Sequence, residues 1–279
     1  MNIVLVSITN FQDYILTNIE QHLRIGNTSI FVITNRCFFE KLDIFCDKIT
    51  LIAIEELEET YKYNSISHLN STFRNGFWML TSQRFFYLYA FMKQYNVSNV
   101  LHFENDVLCY YNASILKDIC DPTKVYMPFD TFERNIASVV YIPNHNIFKI
   151  ILDNYDATKN DMENFSNIQK TTQLLAQFPI FSTSSESAEH AFVTQNYDKF
   201  NMIFDAAAMG QYLGGVDPRN TPGNTTGFIN ETCIIKYNIY TFTWILSKEG
   251  IRQPYLVIGD TQIPIFNLHI HSKALHLFV

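Results

Sequence analysis

Short apolar runs rich in β-branched residues alternate with amphipathic stretches through the first part of the chain. This alternation restricts the fold more than any other feature. Runs of strand character cover residues 2–8, 29–34, 49–54 and 99–103, and stretches of helical periodicity cover 11–23 and 76–95. Strands separated by helices are joined by crossovers, and crossovers make parallel sheets. The expected fold class is therefore α/β and Rossmann-like, a mixed but mainly parallel central sheet flanked by helices. In the second helix Trp78, Phe85, Leu88, Tyr89, Met92 and Tyr95 recur at spacings of three, four and seven. That stripe lays an aromatic face against the sheet, and its simplest use is as core.

Beyond residue 107 the pattern changes. Strands are expected at 125–128 and 137–142, followed by a helix over 147–154. A further helix is expected to start near Asn160-Asp161-Met162-Glu163, where Asn160 or Asp161 can cap it and the acidic groups suit its positive end. Residues 178–187 read as a polar loop, and another helix is expected from Asp205-Ala206-Ala207-Ala208 to Gly214-Gly215. The Gly/Pro-rich stretch 214–224 is the strongest breaker in the chain. Because strand-like runs resume at 232–235, 240–246, 255–258 and 265–271, it is expected to be a long loop inside one domain spanning 1–279.

Composition narrows the functional classes. With 279 residues, 47% hydrophobic and 17% charged, the chain has too much apolar material and too little charge to be disordered. A net charge of -7 argues against a partner made of nucleic-acid polymer. The five cysteines (Cys37, Cys46, Cys109, Cys120, Cys233) are scattered without a C-x-x-C pair, and are expected to be buried, reduced thiols of an intracellular protein. The first apolar run lacks a basic flank and is too short for a signal peptide, and no run approaches the roughly 18–20 apolar residues of a membrane span. A cytoplasmic location without a transmembrane segment is expected.

The chemistry-bearing stretch is Leu101-His102-Phe103-Glu104-Asn105-Asp106. An apolar strand runs directly into two carboxylates, and the carboxyl ends of parallel strands are where open α/β sheets bind ligands. Two hard oxygen donors there suit Mg²⁺ or Mn²⁺, while an isolated acidic pair is equally a solvated turn. Near the C-terminus, His269 and His271 alternate along a strand and can face one side, with Lys273 two residues on. Either histidine alone reads as a satisfied polar residue. Together they supply the imidazole that would complete a carboxylate site.

These residues resemble a known family. Gly76-Phe77-Trp78, Arg84-Phe85-Phe86-Tyr87-Leu88 and then Leu101 to Asp106 look like the approach to the Asp-x-Asp motif of GT-A glycosyltransferases, with Glu104 in place of the first Asp. The stretch from Phe204 to Gly215 is similar to a segment of uncharacterised viral and bacterial glycosyltransferase-like proteins. The resemblance implies a metal-dependent transfer of sugar from a nucleotide-sugar donor, UDP by analogy, to a glycan or other hydroxyl acceptor. It further implies nucleotide binding by residues 1–110 and acceptor binding with completion of the metal site by 111–279. It implies a site for Mn²⁺ or Mg²⁺ with Asp106 as first ligand and His271 as second, His269 beside them, and Glu104 binding the metal through water or holding the ribose; Arg84 and Lys273 on the diphosphate; and Thr9 and Asn105 on the donor. Asp161, Glu163 and Asp205, with Glu186 and Glu189 behind them, are candidate bases for an acceptor hydroxyl. Trp244 is a candidate sugar-stacking ring. If the chain is viral, its compartment would be the host cytoplasm. Alternatives are a sugar nucleotidyltransferase, against which the absence of glycine in residues 7–12 counts, or a non-catalytic carbohydrate-binding protein.

Overall fold

A computed structural model describes residues 1–183, 187–213 and 232–279. Glu186 and the 214–224 loop lie outside the described residues. The strands are β1 (Asn2–Ser7), β2 (Ile30–Thr34), β3 (Thr50–Ala53), β4 (Val100–Phe103), β5 (Val107–Cys109), β6 (Val125–Thr131), β7 (Arg134–Asn135), β8 (Val139–Ile142), β9 (Leu175–Phe178), β10 (Thr241–Leu246), β11 (Arg252–Ile258), β12 (Thr261–Pro264) and β13 (Asn267–His269). The helices are α1 (Tyr14–Arg24), α2 (Tyr63–Ile66), α3 (Phe77–Gln94), α4 (His145–Asp153), α5 (Asp161–Thr171), α6 (Ala188–Thr194) and α7 (Tyr197–Phe200).

The central sheet has eight strands in the order β3-β2-β1-β4-β8-β6-β7, with β9 on β6. Pairing is parallel from β3 through β4 and again between β6 and β9, whereas β8 runs antiparallel to both β4 and β6. The fold is thus α/β with a mixed, mainly parallel sheet. Because helices cover both faces, the central strands are largely apolar rather than alternating with polar residues, buried His102 of β4 being an exception. On β1, Val4 and Val6 enter the cluster that includes α3, while Ile3 and Leu5 enter the opposite cluster with Ile15 and Ile19 of α1. The period of two along a strand has divided one hydrophobic run between two cores.

Helix α3 is more deeply sunk than one stripe implies. Its residues from Ser82 to Met92 are buried except Tyr87, so Phe86 and Phe91 are as hidden as the expected Phe85 and Leu88. Trp78 is half-buried and Tyr95 is 44% exposed, which removes both ends of the stripe from the core. In the second half, α5 begins at Asp161 under an Asn160–Glu163 capping box. Beyond the expected polar loop, the chain forms α6 and α7.

Three expectations need correction. Residues 206–209 form a bend, and only a 3₁₀ turn, Gly210–Leu213, follows; the Asp205 side chain binds amides that a helix would have used. Residues 232–235 are a turn and not a strand. Cys37 and Cys46 are exposed, while Cys109, Cys120 and Cys233 are buried. Among the described residues no helix is long and apolar enough to cross a membrane.

Candidate active site

Strand β4 ends at Phe103, and the chain turns through Glu104-Asn105-Asp106 into β5, closed by Val107 N donating to Glu104 O at 3.0 Å. The scaffold grips this turn from α1: Asn18 Nδ2 faces the carbonyls of Glu104, Asn105 and Val107 at 3.3, 3.0 and 3.1 Å. Asn105 turns inward, donating to Val6 O at 3.0 Å and Gln12 Oε1 at 2.8 Å. Its amide therefore ties the turn to β1 rather than reaching for a donor.

The C-terminal strand brings the imidazole. Strands β5 and β13 pair antiparallel, with His269 opposite Val107, and Ile270 N donates to Asp106 O at 2.9 Å. This register sets a residue 163 positions away against Asp106, His269 Nε2 lying 3.0 Å from Asp106 Oδ2. His269 Nδ1 lies 3.6 Å from Glu104 Oε2. Ligand atoms of Glu104, Asp106 and His269 lie within 4.8 Å of one another. Lys273, held at a positive φ of 63°, contacts the same Asp106 oxygen.

The donor set fits a divalent ion. Two carboxylates and an imidazole suit Mn²⁺ or a similar borderline-hard cation, and His269 Nδ1 is buried without a hydrogen-bond partner. An orphaned buried nitrogen costs about 1–3 kcal/mol, which a bound cation would recover. Burial opposes charge on Asp106, but His269 and Lys273 outweigh it and hold the carboxyl well below the usual range. Burial likewise works against a charged His269, yet Asp106 beside it raises the imidazole above its ordinary value. In the absence of a divalent ion, the His269 imidazole and the Lys273 ammonium both lie against the Asp106 carboxylate.

Arg84 projects from α3 behind this cluster. It is 7% exposed, with Nη1 2.5 Å from Glu104 Oε1, and with Nη2 3.1 Å from Asp161 Oδ2 and 3.2 Å from Ala137 O. Burial opposes its charge, but the two carboxylates prevail and raise its pKa. Thr81, one helical turn earlier, donates to Asp161 Oδ1 at 3.3 Å. Burial raises the Asp161 carboxyl, against the pull of Arg84.

The structure thus gathers Glu104, Asp106, His269 and Lys273, with Arg84 and Asp161 behind them, and places the other expected residues elsewhere. His271 stacks on His269 at 4.4 Å, as strand alternation requires, but its Nε2 faces Ala207 O at 3.3 Å and it is not one of the three clustered ligands. Arg84 is enclosed by its ion pairs and not spread on an open phosphate surface. Asp205 is fully buried and accepts from Ala208 N, Met209 N, Gly210 N and His269 N at 2.7, 2.8, 3.0 and 2.9 Å. That carboxylate is a backbone latch for β13, with no lone pair turned to an acceptor hydroxyl. Glu163 is exposed and closes the α5 cap. Glu189 accepts from Phe132 N at 3.1 Å. Trp244 packs edge-on to Tyr110 at 5.6 Å and under the Arg252 guanidinium at 4.3 Å. Thr9, exposed with φ 67°, donates its amide to Asn35 Oδ1 at 2.8 Å, and Asn35 donates to Glu55 at 3.1 Å. This chain of contacts links the carboxyl ends of β1, β2 and β3.

Sequence reasoning missed Asn18, Thr81 and Gly210. A Cβ on Gly210 would lie 2.1 Å from His269 O, so the loop passes against β13 only because that residue is glycine. The isolated glycine after an alanine run was the available signal.

No model of a known protein family matches the chain, and no curated protein matches its sequence. Solved structures similar to it include mouse xyloside xylosyltransferase 1 (9% identity, 71% of this chain and 93% of that one, TM-score 0.43). Others are the PaToxG glycosyltransferase (12% identity, 71% and 68%, TM-score 0.38) and a cytidylyltransferase from Leptospira borgpetersenii (8% identity, 64% and 75%, TM-score 0.38).

Proposed function

We propose that the protein is a metal-dependent glycosyltransferase that moves a sugar from a nucleotide-sugar donor to a hydroxyl of a glycan acceptor. The observation that carries this reading is the clustering of Glu104, Asp106 and His269 ligand atoms within 4.8 Å at the carboxyl end of β4, with Lys273 on the same carboxylate. Carboxylates with an imidazole favour Mn²⁺ over Mg²⁺, which prefers oxygen alone. The ends of β1 to β3, joined through Thr9, Asn35 and Glu55, form the shelf we assign to the nucleoside, with UDP the leading candidate. Residues 1–110 then supply the nucleotide half, and 111–279 supply the acceptor side together with His269 and Lys273.

In the reaction the bond between the anomeric carbon and the diphosphate oxygen breaks, its electron pair leaving with the nucleoside diphosphate, the acceptor oxygen bonds to that carbon, and the hydroxyl proton passes to the departing diphosphate or to water. A bound divalent ion would stabilise the negative charge growing on the departing diphosphate. Lys273, which contacts Asp106, would turn to the same phosphates and act where charge develops. Glu104 and Asp106 would hold the cation, with the buried His269 imidazole completing its protein ligands. The β5–β13 pairing keeps the three together before any substrate binds, so ordering the site costs little at the moment of reaction.

Hydrolysis of UDP-sugars tests this. Turnover with Mn²⁺, lost on chelation and reduced at least a hundredfold in Asp106→Ala, is the expected result. Equal turnover in chelator, or nucleotide-sugar binding without turnover and unaltered in Asp106→Ala, would sink the metal-enzyme reading.

A further inference from the structure

The first acidic position of the motif holds a glutamate, and the longer side chain raises a geometric problem. An extra methylene gives the carboxylate another rotatable bond, and each free rotor lowers the fraction of time a ligand oxygen spends in place. Glu104 is the least buried of the three clustered side chains, at 20% exposure against 10% for Asp106 and 11% for His269. Packing alone holds it least.

The contacts behind it supply what packing does not. Arg84 Nη1 engages Oε1 of Glu104, and the other oxygen, Oε2, is the one that lies 3.6 Å from His269 Nδ1. One oxygen is held by the scaffold and the other faces the ligand cluster. Arg84 is oriented in turn: its Nη2 donates to Asp161 and to Ala137 O, and its guanidinium lies 4.7 Å from the Phe85 ring. Asp161 is the first residue of α5, aimed by the Asn160–Glu163 capping box and by Thr81 on its second oxygen. The chain of contacts therefore runs from a helix start, through a carboxylate and a planar cation, to one oxygen of a metal ligand.

We infer that Asp161 and Arg84 are positioning residues for the cation site, acting through Glu104: Asp161 fixes the guanidinium, the guanidinium fixes Glu104 Oε1, and Glu104 Oε2 is thereby presented to the metal. This rests on the metal reading above but gives Asp161 a role other than base. Partners that orient a metal ligand typically alter affinity ten- to a hundredfold when removed. Arginine is suited to this task because its rigid fork serves two carboxylates at once, which lysine does not.

The test is direct Mn²⁺ binding to the purified full chain, read from loss of the free-ion electron paramagnetic resonance signal, with no substrate present. Asp161→Asn keeps the side-chain shape and leaves Arg84 paired with Glu104. It is expected to bind Mn²⁺ about tenfold more weakly while keeping a native near-UV circular dichroism spectrum. In an Arg84→Met background the same change is expected to cost nothing further, because the link it acts through is gone. Arg84→Lys should fail to restore wild-type affinity. Wild-type affinity in Asp161→Asn, or an undiminished loss in the Arg84→Met background, overturns the inference while leaving the metal site intact. A wild-type protein that binds no Mn²⁺ overturns the site and the inference together. Should Asp161→Asn fail to fold, Thr81→Val loosens only one contact to Asp161 and is expected to weaken Mn²⁺ in the same direction; affinity equal to wild type would again overturn the inference.

Discussion

His269 is held in place by its backbone as much as by its ring. Its amide donates to Asp205 Oδ2 at 2.9 Å, and its carbonyl lies where a Cβ on Gly210 would have to sit. Backbone against backbone cannot yield by a rotamer change, so Gly210→Ala must displace either β13 or the chain at residues 206–210. We expect this single methyl to destabilise the fold by about 1–3 kcal/mol, the range for forced overpacking, and to weaken Mn²⁺ binding although residue 210 is no ligand. Urea denaturation alongside a Mn²⁺ titration checks both, and unchanged values would remove the steric link. At this scale the sequence made Glu104, Asp106, His269 and Lys273 legible, because ligand chemistry is written in residue type. It put His271 ahead of His269 as the partner of Asp106, since strand alternation puts both on one side; the register with β5 instead brings His269 to Asp106. Arg84 and Asp161 were visible as charges but not as partners: burial and a separation of 77 residues have no local signature.

Among the elements, α5 shows how a local signal can aim a distant group. Asn160 accepts from Glu163 N at 3.0 Å, and Glu163 returns a contact to Asn160 N, so two otherwise unpaired amides are satisfied and the first turn is fixed. Asp161 sits at its first position, and its direction toward α3 depends on that turn. Asn160→Ala removes the cap and is expected to cost about 1 kcal/mol of stability. If Asp161 acts through Arg84 as inferred, Mn²⁺ affinity falls too, whereas Glu163→Gln, which can still close the box, leaves affinity at wild type. Chemical denaturation curves measure the first expectation and the ion titration the second; a stability loss without any affinity loss would separate the cap from the site. The strands and helices of the first half and the start of α5 were readable because period and capping are local. The bend at 206–209 was not: an Asp followed by alanines signals a helix start, and here the same carboxylate instead binds amides of its own loop and of β13, a contact that only tertiary structure creates.

For the whole molecule, the two sides of the sheet carry buried histidines whose titration opposes that of the site. His22, packed on Phe103, and His102, whose Nδ1 faces Val4 O at 2.9 Å, are both lowered by burial from 6.5 to about 3. The unfolded chain therefore takes up their protons first, and stability is lost as pH falls below 6.5 until the folded groups titrate near 3. The loss is up to about 1.4 kcal/mol per pH unit for each group. His269 has the opposite sign: its raised pKa gives stability that is full below 6.5 and fades as pH rises through its folded value. Asp106, depressed by the same pairing, contributes above its unfolded value of 3.8 and ceases to do so in strong acid. Below pH 6.5 the His269 contribution is already full and no longer changes. His22, His102 and His271, which burial also lowers to about 3, all cost stability as acid is added, so net destabilisation is predicted between pH 6.5 and 5, seen as a falling urea midpoint. Replacing His102 with Gln removes one titrating group, so the variant should show a shallower pH slope than wild type whatever its absolute stability. An identical slope would mean that His102 is not held neutral in the fold. Site and core thus meet mild acid differently: the metal-free cluster keeps its His269–Asp106 pair, while the neutral histidines buried on the sheet are what give way.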